Sequence, residues 1–475
     1  MEITWALIFG FFICFLSILI NYKYLIYASL FFFSFTATVV INFESGQGIS
    51  LFLLIALFIS LALIISLLRD FVNKKIIFSK YSALPIQFAL VIFFSMFMPI
   101  WINGSLEVDS NILFDDYYSI PIYFSFNTVL KTLPLITGVF VTLSILRFIN
   151  NNDIFLQASK YLILSIAFIA CWGLFQLFCN LIPFFEYPDY IFNNIRSKTA
   201  RGFEQILESQ DVGSSFSRLS SVTHEPSTFV KHLLIPIPII YLSILSKDYL
   251  FSKRLDKTLL ILLVFLILLS TSTTGVVGLI ICFILTNIFL SFYYEKKAFF
   301  RILGLIFISF FIATIIFLMF PSYIQLVIID KLSSGSGIER VSSVLNSWQY
   351  FLMYPIYGVG WSNVTVNDLI VNLLVNTGLI GLISFLALFI FSVMWAMKDI
   401  QIFINNDLIN NKYSRLKNHL CGFLISFINL VILGVFTGIE FYMGYFYVIL
   451  GMVYASANIV SKINTYSKGV NYERV

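Results

Sequence analysis

Charge is scarce in this chain. Only 11% of its 475 residues are Asp, Glu, Lys or Arg, against 59% hydrophobic, whereas soluble domains run at about 25% charged. That excludes a soluble globular protein. Histidine is nearly missing as well, with three in the whole sequence. The five cysteines, Cys14, Cys171, Cys179, Cys282 and Cys421, all fall in apolar runs. Their spacing fits neither a metal site nor a disulfide framework, so they read as free thiols packed as small apolar side chains. Strand-period alternation is lacking, which argues against a membrane β-barrel. No basic block, zinc spacing or RNA motif is visible, so nucleic acid is not an expected partner. No positive n-region or small-residue cleavage site accompanies the first apolar run, and it is expected to be a retained span.

What the chain has instead is apolar length. Runs near 20 residues recur throughout, which is what a helix needs to cross a hydrocarbon core of ~30 Å. Spans are expected near 3–20, 25–42, 49–68, 83–101, 128–148, 158–182, 229–246, 257–271, 275–294, 302–320, 368–396, 420–438 and 443–460. The fold class is therefore an all-α polytopic membrane protein of 12 or 13 transmembrane helices, read as a single integral membrane domain over 1–475. Cytoplasmic loops are enriched in Lys and Arg, and the charges sort accordingly. One side takes 21 of the 29 basic and 8 of the 24 acidic residues; the other takes the remaining 8 basic and 16 acidic. This asymmetry places the N-terminus outside and the tail from Lys462 inside. The net charge of +5 is thus a topology signal.

Three outer segments are long: 102–127, 183–228 and 321–367. Long connections tend to be functional or disordered. The first carries Glu107, Asp109, Asp115, Asp116, Tyr117, Tyr118 and Tyr123, and reads either as a solvated acidic loop or as a lid over a polar ligand such as a sugar. In the third, Val341, Val344, Leu345, Trp348, Phe351 and Leu352 keep helical spacing. They predict an amphipathic helix on the membrane surface, with Ser343, Asn346, Ser347 and Tyr350 turned elsewhere. Pro355 ends it, and Tyr357-Gly358-Val359-Gly360-Trp361 makes a tight turn.

The chemistry concentrates where the second segment re-enters the bilayer. Within 218–232 the chain places Arg218, His224, Glu225, Lys231 and His232. Outer cations are few, and arginine's planar fork matches phosphate oxygens in pairs. A pyrophosphate at a membrane surface would suit Arg218 and Arg340 converging from two loops, with Lys231 either a third cation or snorkelling to the surface. Glu225 precedes Pro226, a favoured first helical residue. It reads either as a helix cap that complements the dipole or as a general base. His224 ranks behind it as a catalytic candidate. His232, seven residues on, is an interior histidine or a positioning partner. Pro236 and Pro238 should loosen the helix that follows. Neither an Asp-x-Asp pair on a soluble segment, nor a glycine-rich phosphate loop, nor a metal-ligand cluster is present. A reaction without metal or other cofactor fits that pattern.

In this setting the order of motifs resembles the O-antigen polymerase and ligase superfamily. The resemblance runs from Arg218 through His224-Glu225-Pro226-Ser227 and Phe229, then Ser270 to Gly275 opening a span. It continues with Arg340, Trp348, Pro355-Ile356-Tyr357-Gly358-Val359-Gly360, Asn367-Asp368 and Gly378-Leu379-Ile380-Gly381, and covers about 170–390. It implies a C-type glycosyltransferase (GT-C-like) fold in the bacterial inner membrane, with its active site on the periplasmic face. The implied reaction transfers a glycan from undecaprenyl pyrophosphate to an acceptor. Arg218 and Arg340 would bind pyrophosphate and Glu225 would be the base. Tyr357, Trp361, Asn367, Asp368 and His232 are candidates for holding the acceptor or glycan. The implied partners are the undecaprenyl-pyrophosphate-linked oligosaccharide, the lipid bilayer and a chain-length regulator protein. Ligases of the family commonly place a His-Asn pair where Asn367-Asp368 stands, which favours a polymerase. Many members carry arginine where Thr274 stands, so the anion site is expected to be built differently. A ligase, or a lipid-linked oligosaccharide flippase, is the alternative.

Overall fold

The structure is a computed structural model that describes residues 2–42, 48–73, 79–109, 119–182, 184–194, 219–293, 335–406, 410, 412–439 and 441–467. The described chain is mostly helical. In order it forms β1 (Glu2–Ile3), α1 (Trp5–Ile20), α2 (Lys23–Phe32), β2 (Val39–Asn42), β3 (Gly48–Ser50) and α3 (Leu51–Val72). Then come α4 (Ala83–Ser95), α5 (Met98–Ile102), β4 (Glu107–Asp109), β5 (Ser119–Pro121), α6 (Phe126–Phe148), α7 (Asn152–Leu181) and α8 (Asp189–Phe192). The second half holds α9 (Pro226–Leu234), α10 (Pro236–Leu245), α11 (Lys253–Leu269), α12 (Thr273–Tyr293) and α13 (Gly335–Met353). It closes with α14 (Leu369–Asn405), α15 (Ser414–Thr437) and α16 (Gly444–Ser467).

Nine helical stretches among the described residues are long and apolar enough to cross a membrane. The expected count of 12 or 13 is reduced for separate reasons. The segments Trp5–Ile20 and Lys23–Phe32 are apolar but short, α11 has 17 residues, and the expected span 302–320 lies outside the described residues. The second expected span, 25–42, needs correction. Its helix stops at Phe32, and β2 pairs antiparallel with β1 and β3. Val39-Val40-Ile41 is β-branched and suits a strand, and Asn194 clips it by accepting from Val39 N–H (2.8 Å) and donating to Val39 C=O (3.1 Å).

Helix starts follow the sequence. Ser50, Asn151, Ser252 and Asp368 each cap the next helix by accepting a first-turn N–H. The stretch Pro226–Leu245 is the most enclosed, with 83% of its apolar window buried. It is divided at Ile235, because Pro236 and Pro238 each lack the N–H that would continue the ladder. Ser426 of α15 donates to Ile235 C=O at 2.6 Å. Around it pack α7, α11, α12 and α15, and with α6 and α16 they share one apolar core. Close approach relies on small residues, as membrane helix contacts do: a Cβ at Gly138 of α6 would overlap the Tyr447 ring of α16.

The two ends of the bundle differ. At the basic end Arg147 pairs with Asp70 and donates to Ser66 (2.9 Å), and Asp256 accepts the N–H groups of Leu250 and Phe251. At the acidic end lies a second apolar cluster. It joins Ile102, Leu106 and Ile122 to Tyr350, Val359, Val364, Val366 and Val375, so the first and third long segments fold onto one core. Part of the first, 110–118, is outside the described residues. Helix α13 presents Val341, Leu345, Trp348 and Leu352 outward while Tyr350 and Ser347 are buried. Its apolar stripe is the exposed face, and Val344 and Phe351 pack partly on the cluster.

Candidate functional site

The site region begins at Leu219, and Ser220, Ser221 and Val222 are tied down on three sides. Gln176 of α7 accepts from the N–H groups of Ser220 and Ser221 at 3.0 and 2.7 Å. Ser221, at φ 52, donates its hydroxyl to Ile169 C=O and accepts on its carbonyl from Asn193 and Tyr187. Ala37, in the turn after α2, donates to Val222 C=O at 3.2 Å. Leu219 and Val222 are buried beneath. Burial pushes the Tyr187 phenol up, with Asp189 adding to the rise, so it stays a hydrogen-bond donor.

This clamp presents two candidates at the rim. Half-buried His224 places Nδ1 3.3 Å from the Thr36 hydroxyl. Glu225 is exposed and occupies the N-cap position of α9 with an extended backbone, yet its side chain takes no first-turn N–H. The carboxylate accepts from Ser227 Oγ at 3.0 Å. Glu225 thus stands at the cap position, with its charge at the positive end of the helix dipole but without a capping hydrogen bond.

Lys231 and His232 lie deeper. Lys231 is 2% exposed, and its ammonium donates to Gly438 C=O at 3.2 Å; it does not snorkel. His232 is fully buried, with Nδ1 2.8 Å from Thr228 C=O and its ring between Phe33 and Tyr445. It is an interior histidine.

The third segment is held by a break in a helix. Gly378 interrupts α14 at φ 65, ψ −166, a conformation open to glycine, and a Cβ there would collide with Ile356 C=O. The 355–360 turn satisfies the broken ladder. Val359 and Gly360 donate to Val375 and Asn376 C=O at 2.9 and 3.0 Å, and Leu379 and Ile380 donate to Pro355 and Ile356 C=O. Asn376 then pairs with both backbone groups of Val364, at 3.1 and 2.9 Å. On this frame Tyr357 is 54% exposed, while Trp361 is buried against Phe441, with centroids 5.6 Å apart. Asn367 is half-buried, and Asp368 spends its carboxylate on Val371 N–H at 2.8 Å.

The two segments meet at the turn after α15. Gly438 receives Lys231 on its carbonyl, and a Cβ on it would lie 3.6 Å from the Asn367 carbonyl carbon. Trp361 packs on Phe441 three residues further on. Lys131 of α6 joins from another side: half-buried, it lies 3.4 Å from Ser362 C=O. In the sequence Lys131 stands out only as a lysine a turn inside the apolar run 128–148. Arg218 lies outside the described residues, and Arg340 is placed by its backbone alone, in the second turn of α13. Ser270, Ser272 and Thr274 are buried at the start of α12. Among the described residues no three His, Cys, Asp or Glu side chains gather as a metal site needs.

Fold and site together describe a multi-pass helical membrane protein with a structured cap at its acidic end. Comparison with protein-family models finds no match, and neither does comparison with curated protein sequences.

Proposed function

We propose that this chain is a polysaccharide repeat-unit polymerase of the bacterial inner membrane. In this reading it joins glycans carried on undecaprenyl pyrophosphate at the outer face. The observation that carries the reading is Glu225, an exposed carboxylate on a tightly held loop at the end where two long segments build a cap. Glu225 accepts the proton of an acceptor sugar hydroxyl. The freed oxygen bonds to the anomeric carbon of the donor, and the anomeric carbon–oxygen bond to pyrophosphate breaks. Undecaprenyl pyrophosphate leaves with the electron pair, its charge met by Arg218 and Arg340. Positioned general-base help contributes roughly 10²–10⁴-fold, and a fixed charge on the leaving oxygens contributes on the order of 10²–10³-fold. No metal is needed for this scheme.

The motif order supports polymerase over ligase through Asn367-Asp368. Arg218→Ala and Arg340→Ala should each abolish long polymer while leaving protein levels intact, measured by glycan electrophoresis beside an immunoblot. Near-normal polymer from both variants would remove the pyrophosphate assignment.

A further inference from the structure

At the basic end, away from the proposed transferase site, a cavity of about 50 Å³ lies where α7, the turn after α10 and the first turns of α15 come together. Lys160, Asp248, Tyr249, Arg415 and His419 line it. His419 is 2% exposed, and its Nδ1 has no hydrogen-bond partner among the described residues. Its ring is packed between Phe155 and Phe423, with centroids 6.0 and 6.5 Å away, so it cannot turn freely to find one. Buried polar atoms are almost always satisfied, and an exception calls for a ligand or water.

The charges around that ring say which ligand. Lys160 and Arg415 reach the pocket from exposed positions on two helices. Asp248, the acidic lining residue, is occupied by the Ser414 hydroxyl. The N-terminus of α15, the positive end of its dipole, begins at Ser414 beside them. Two cations, a helix N-terminus and a buried imidazole favour an anion with several acceptor oxygens. Basic pockets between transmembrane helices on a cytoplasmic side suit anionic headgroups. The space is on the scale of a single phosphate group.

We propose that this pocket binds one phosphate group, with Lys160 and Arg415 as its charge partners and His419 as a ring N–H donor at its back. Two sources share the chemistry: the headgroup of an anionic phospholipid in the adjacent leaflet, and free phosphate.

The test uses the full-length protein in phosphatidylcholine nanodiscs, with thermal unfolding as the readout. One series adds phosphatidylglycerol to the discs and the other adds inorganic phosphate to the buffer. A rise in unfolding temperature with phosphatidylglycerol alone identifies a headgroup site; a rise with phosphate as well identifies one open to the free ion. In either case Lys160→Gln and Arg415→Gln should each weaken the apparent affinity roughly tenfold, the loss of one charge-assisted hydrogen bond. Lys253→Gln, exposed at the same end but outside the pocket, should leave it unchanged. His419→Phe should also weaken it; if that variant does not fold, the two surface variants decide. The proposal is overturned if neither probe stabilises the protein, or if Lys253→Gln costs as much as Arg415→Gln.

Discussion

Glu225 and Lys231 stand six residues apart and have opposite surroundings. The first is exposed and engaged by Ser227 Oγ; the second is buried and donates to Gly438 C=O. Their roles should separate in the same way. On the proposed reading Glu225→Gln keeps the size and removes the proposed base, so polymer synthesis should fall by roughly 10²–10⁴-fold with thermal unfolding unchanged. Full synthesis by that variant would move the base elsewhere. Lys231→Met removes a charge-assisted bond worth about 1.5–3 kcal/mol and should lower the unfolding temperature in detergent. An unchanged midpoint would mean that this bond does not hold the Gly438 turn. The sequence made Glu225 and its proline legible, because Glu-Pro before an apolar run announces a helix start. It could not show that Lys231 meets Gly438, since that proximity arises only when α9 and α15 pack. The same holds for Lys131 and Ser362.

At the scale of elements, the break at Gly378 is the feature on which the cap depends. The half-helix Leu369–Thr377 lends its last carbonyls to the 355–360 turn, and that turn carries Tyr357 and leads directly into Trp361. Gly378→Ala puts a side chain into a positive-φ position against Ile356 C=O, and should cost more than about 1 kcal/mol. Hydrogen exchange at Val359, Gly360, Leu379 and Ile380 should then accelerate together, while α6 and α16 stay protected. Uniform exchange across the bundle would show that the break does not act as a local unit. Apolar length located most of the helices, but hydropathy cannot tell a β-branched strand end from the continuation of a helix. That is why 25–42 read as one span although the chain turns after Phe32 and pairs as β2. Helical spacing in α13 was legible; which face it would bury was not. The answer depends on Ile102 and Val375, which lie far away in sequence.

For the whole molecule, charge scarcity and the segregation of basic residues lead to a multi-pass helical protein with unlike ends. The described helices accord with that class. The acidic end holds the cap, the clamped Glu225 loop and the turn at Gly438; the basic end holds the pocket around His419. A polymerase needs its chemistry at one end only, with carrier lipid reaching it through the bilayer. A flippase would instead need cations deep in its spans, each costing roughly 2.5–3.5 kcal/mol and kept only for function, whereas Lys131 and Lys231 each stand six residues into their helices from the acidic end. The most direct test of the polymerase reading is the glycan size profile of a strain lacking this gene, taken together with its lipid-linked intermediates. A polymerase predicts single repeat units on the normal acceptor. Long polymer stranded on the lipid carrier, or single units trapped on the cytoplasmic face, would contradict it.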